Sequence, residues 1–138
     1  MTPPESPDPR AAFQSRCDSI EEAYEFFLAF AAQGLPADAA GDNGRQARDY
    51  LRRCDEALAG LADVLTQTIA TFGADVREAY AAFVEVIARD AAASRAAVRL
   101  VLAQPSIGSQ LVDNLNASIH LRALLTDLFL IDEALKAS

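Results

Sequence analysis

The sequence predicts an all-α protein, an antiparallel four-helix bundle with one shorter N-terminal helix. Three observations carry this expectation. Apolar residues recur at helical spacing in separate segments. Gly and Pro clusters break those segments apart. No segment alternates apolar and polar residues as a half-buried strand would. The chain has 138 residues, which suits one domain with one core. Residues 15–138 are expected to form that domain, behind a disordered N-terminal tail over residues 1–14. The opening MTPPESPDPR is rich in proline and holds no apolar run.

The first helix is predicted over residues 19–33, with Ala11 to Arg16 open to an extra turn before it. Ser19 and Glu22 read as a capping box, and Asp18, Glu21 and Glu22 suit a positive helix N-terminus. Gly34 and Pro36 end it. Ile20, Tyr24, Phe27 and Ala31 form one stripe, which Phe26 and Phe30 widen. Leu35 to Gly44 is the clearest loop.

The second helix is predicted to run unbroken from about residue 43 to Phe72. Leu51, Cys54, Leu58, Leu61, Leu65, Thr68 and Phe72 follow one another at alternating three- and four-residue steps. That spacing gathers them into one seam that other helices must cover. Gly60 falls inside this helix, either tolerated there or marking a close helix contact. The third helix, residues 74–104, carries Val76, Tyr80, Phe83, Ile87, Ser94, Val98 and Val101 on its buried stripe. The connection before it is so short that helices two and three must be antiparallel neighbours. The fourth helix is expected as one piece from about residue 107 or 109 to 136, with Leu111, Leu115, Ile119, Leu125, Leu128, Phe129 and Leu135 inward. From Leu121 to Ile131 it is apolar on most of its circumference, which implies a cover on both sides.

Charge and composition exclude some functions. The formal net charge is −8, so nucleic-acid phosphates and anionic membranes should repel the chain. No segment approaches the ~18 uninterrupted apolar residues of a membrane span. No signal peptide is visible. A cytoplasmic protein without nucleic-acid partners is the expectation.

Few residues offer chemistry. Cys54 lies on the seam and reads as a small core hydrophobe. Cys17 lies just before the predicted start of the first helix, a place that lowers a thiol pKa. Arg45, Arg48 and Arg52 share one side of helix two, interleaved with Asp49, Asp55 and Glu56. His120 is the single histidine. No C-x-x-C, H-E-x-x-H, E-x-x-H or Gly-rich phosphate loop is present, so no metal and no cofactor is expected. Ser118 to Thr126 has a loose likeness to the H-E-L-R-T-P-L-T box of sensor kinases. Alignment needs one residue deleted after the His, which turns the rest of a helix by about 100°. Asp113, Asn116, His120 and Asp127 share a polar face of the predicted helix.

The function expected from these features is a non-catalytic interaction module: an adaptor, assembly or regulatory accessory protein. It would bind a protein partner through apolar helix faces, with Tyr24, Phe26, Phe27, Phe30, Leu121, Leu124 and Leu128 as contact residues. A homodimer is expected. The alternatives are a phosphotransfer module using His120, and an amphipathic-helix protein coating a hydrophobic surface or granule. No enzyme activity is expected.

Overall fold

The computed structural model describes residues 8–38 and 41–137. The described residues form six helices: α1 (Pro9–Ala32), α2 (Asp42–Ala59), α3 (Leu61–Ile69), α4 (Ala74–Leu102), α5 (Ser109–Ala117) and α6 (His120–Ala137). There is no strand among the described residues. Buried side chains from all six helices join in one apolar cluster. α1 and α4 each pack against α2 and α3 on one side and against α5 and α6 on the other. No helix of the described residues is long and apolar enough to cross a membrane.

α1 starts ten residues before the predicted Ser19, and this corrects the expected tail over residues 8–14. Asp8 caps it, accepting a hydrogen bond from the Arg10 amide at 3.3 Å, and Pro9 takes the first helical position. The apolar spacing also begins early: Phe13, Cys17, Ile20, Phe27 and Phe30 are all buried. Ser19 lies inside the helix and caps nothing. The rest of the expected tail, residues 1–7, lies outside the described residues. At the other end Gly34, with φ of 64°, turns the chain out of the helix as predicted.

The second predicted helix divides at Gly60 into α2 and α3. The Arg16 guanidinium donates to the carbonyls of Glu56 at 2.9 Å and Ala57 at 3.0 Å. In an unbroken helix those carbonyls would accept from the amides of residues 60 and 61. Leu51, Cys54, Leu58, Leu61 and Leu65 nevertheless stay buried on both sides of the break.

The fourth predicted helix divides too. Ile119 sits between α5 and α6 with φ of 65°, in the left-handed region. Before the break, the Ser118 hydroxyl donates to the Leu115 carbonyl at 2.6 Å. Asn116 donates to the Phe27 carbonyl of α1 at 3.2 Å, so α5 is anchored sideways.

Polar contacts set the order of neighbours. Arg16 of α1 meets Ala57 while Phe26 stacks on Tyr50, at 4.2 Å between ring centres. Asp55 of α2 pairs with Arg95 at 2.8 Å and Arg99 at 3.2 Å from α4. Arg48 donates to the Leu102 carbonyl at 2.9 Å and to that of Gln104, closing the C-terminal end of α4. Ser109 is buried at the start of α5. Its hydroxyl donates to the Phe30 carbonyl at 2.6 Å and accepts from the Leu35 amide at 2.7 Å.

Candidate interaction surface along the last helix

α6 uses one side of its apolar circumference for the core. Leu121, Leu124, Leu125, Leu128, Ile131 and Leu135 are all buried. Two large apolar side chains are left over. Phe129 is 57% exposed and Leu130 is 60% exposed, adjacent in sequence on the solvent side. Leaving such groups in water forgoes about 25 cal/mol per Å² of apolar area.

Each of the two leans over a groove. Phe129 lines one between α1 and α6 of about 310 Å³, with Glu21, Tyr24, Glu25, Arg122, Leu125 and Thr126. Leu130 lines another between α4 and α6 of about 230 Å³, with Ala79, Tyr80, Phe83, Ile131 and Ala134. The Tyr80 ring meets Phe72 edge-on at 5.2 Å, which holds one wall in place. Val76, expected on the buried stripe, stands exposed one turn before Tyr80 on α4, because it lies near the start of that helix.

The contact residues expected from sequence are redistributed. Phe27, Phe30, Leu121, Leu124 and Leu128 are buried in the core, so none of them can meet a partner without unfolding. Phe26 is half-buried and sandwiched against Tyr50 and Phe30. Only Tyr24 reaches the surface region, as part of the α1–α6 groove. Phe129 and Ile119 were expected inward and are exposed instead. An α-helix that is apolar nearly all round does not reveal from its spacing which residues its neighbours leave bare.

A carboxyl pair lies further along the same α4–α6 contact. Asp127 falls on the α6 stripe of Ile131 and Ala134, and its neighbour across the interface is Asp90 of α4. Asp127 Oδ2 is shielded from solvent and meets no fixed donor. The bond open to it is one in which a carboxyl carries the proton. Burial first, then the hydrogen bond to Asp90 and the charge of Asp90, push Asp127 up to about 7. Sequence spacing could not bring these two together, because they meet only through tertiary packing.

The other candidates separate. His120 is exposed, as the first residue of α6, and the break at Ile119 takes it out of register with Asp113 and Asn116. Cys17 lies in the middle of α1, not at its start, and is buried. Burial, then Glu21, Asp132 and Asp18, push its thiol up to about 12. Burial and Asp55 do the same for Cys54, to about 12. Cys17 therefore has no helix N-terminus beside it to lower its pKa, and burial moves it the other way. The basic strip of α2 is committed internally: Arg48 to α4 carbonyls, Arg45 to Asp42 at 2.8 Å, and Arg52 to Asp49 at 3.7 Å. Among the described residues no group of three or more His, Cys, Asp or Glu side chains could hold a metal ion. No protein-family model, curated protein sequence or solved structure matches the chain.

Proposed function

We propose that this chain is a non-catalytic interaction module, an adaptor or accessory protein that binds a protein partner along the outer ridge of α6. Its scaffold is an antiparallel four-helix bundle in which α2–α3 and α5–α6 each act as one broken rod. The observation that supports this reading is the pair Phe129 and Leu130, exposed side by side with a groove on each flank. A soluble chain gains by covering such a patch. Its place of action is the cytoplasm, where two unpaired thiols such as Cys17 and Cys54 persist.

Site-specific photocrosslinking in the native cell tests the reading. A crosslinker at Leu130 should give one discrete protein adduct that Phe129→Glu abolishes. The same group at Gln67, exposed on α3, should give none. Equal labelling at both positions would remove α6 as the binding surface.

Phosphotransfer through His120 is the second reading, favoured by the exposure of that side chain. Incubation with phosphoramidate should then place an acid-labile phosphate on the protein, lost in His120→Gln. The granule-coating reading calls for helices in an open array, whereas here Ile20, Leu51, Ile87 and Leu124 share one closed core.

A further inference from the structure

We infer that the occupant of the α6 ridge is a second copy of this chain, with the two α6 helices antiparallel about a two-fold axis. The inference rests on the reading of α6 as an interaction surface. It comes from the order of charges along the ridge. At 100° per residue, Arg122, Thr126, Phe129 and Glu133 fall on one strip of α6, and all four are exposed. Arg122 and Glu133 stand at its two ends, about 16 Å apart at the helical rise. Among the described residues neither takes part in an ion pair within the chain.

Turning a second copy end for end, about an axis level with the middle of the strip, matches every position. Arg122 of each copy then faces Glu133 of the other, and Phe129 of each faces Thr126 of the other. A parallel approach would set Arg122 against Arg122 and Glu133 against Glu133. The charge order therefore selects the antiparallel arrangement, and a two-fold interface is self-complementary in this way.

The flanks agree with the same operation. A two-fold axis lying in the contact plane keeps the α1 side of one copy facing the α1 side of the other. Phe129 then enters the α1–α6 groove of the second copy beside its Leu125 and Thr126, while Leu130, level with residue 125 of that copy, covers the α4 side of the contact. Ridge meets groove on the α1 side of both copies. Each copy carries a formal charge of −8, so association has to supply attraction against an overall repulsion. Arg122 supplies the local positive charge that this face needs.

Sedimentation equilibrium of the full-length chain, from about 1 to 100 µM, reads the association directly. The wild type should dimerise, and Leu130→Glu should abolish the dimer. Arg122→Glu and Glu133→Arg should each weaken it on the order of tenfold, because two attractions become two repulsions. The double variant should recover the wild-type affinity. Far-ultraviolet circular dichroism confirms that these surface variants stay helical. A wild type that remains monomeric throughout overturns the second copy. If the crosslinker at Leu130 still captures another protein, the interaction surface itself stands. A dimer indifferent to Leu130→Glu and both reversals overturns the α6 contact. Two weakened single variants without rescue in the double overturn the antiparallel register.

Discussion

The Arg16 guanidinium lies against Gly60 so closely that a Cβ there would stand 2.8 Å from Nη2. Arg16 and Gly60 therefore act as one unit. The glycine leaves room for the guanidinium, and the guanidinium satisfies the carbonyls that the broken helix exposes. Replacing Gly60 by Ala adds helix propensity worth up to ~1 kcal/mol but displaces two hydrogen bonds worth about 1 kcal/mol each. Gly60→Ala alone should therefore lower stability by about 1 kcal/mol. In an Arg16→Ala background it should stabilise by about 1 kcal/mol, since only the propensity remains. Urea denaturation of the four proteins checks this. Additive effects would mean that Arg16 and Gly60 are independent.

The Asp90–Asp127 pair gives stability a defined dependence on pH. Asp127 is held up to about 7 in the folded protein against an ordinary 3.8. Between roughly pH 4 and 7 the folded chain keeps a proton that the unfolded chain releases. The stabilisation is complete below about pH 4 and is lost as pH rises through about 7. Asp127→Asn keeps a donor toward Asp90 at every pH. The Tm of the variant relative to wild type should therefore rise between about pH 5 and pH 8. A constant difference across that window would mean that the two carboxyls do not share a proton.

Ile119 holds a left-handed backbone conformation, costly for a β-branched side chain. Its side chain is 62% exposed and returns little by packing. Ile119→Asn should raise monomer stability by about 1 kcal/mol, because Asn tolerates this region better. Thermal unfolding checks it. A fall in Tm would mean that the isoleucine side chain contributes more than its exposure implies.

Both cysteines should resist thiol reagents in the native protein. Their thiols are pushed up to about 12 and both are buried, while the thiolate is the reactive form. Reaction with a disulfide reagent near pH 8 should be slower than in denaturant on the order of a hundredfold. Fast labelling of Cys17 in the folded chain would show that α1 opens locally around it.

Spacing made the core legible in the sequence wherever one face of a helix is apolar. The seam from Leu51 to Leu65 survives the interruption at Gly60 because α3 continues with the same inward positions. The interruption itself depends on Arg16, forty-four residues earlier, so no local pattern announces it. The early start of α1 was readable: Asp8 and Pro9 are a cap and a first-turn residue, and Phe13 continues the stripe. The prolines before them masked that signal. The interaction surface was the least legible part. Along α6 the apolar positions outnumber those the core can accept, and only the placement of α1 and α4 decides that Phe129 and Leu130 are left out.

Ser109 ties residues that are made at very different times. Its hydroxyl joins the Phe30 carbonyl and the Leu35 amide, across 79 and 74 positions of sequence. While the chain is being synthesised from its N-terminus, α1 through α4 exist before either bond can form. In that interval the C-terminal end of α1 lacks its last partner, and Phe27 and Phe30 lack the cover that α5 will bring. The nascent chain thus waits with its most aromatic segment open to other chains. Arrival of a single small hydroxyl closes the site, adds a second donor to the Phe30 carbonyl, accepts from the Leu35 amide, and fixes the loop that follows α1.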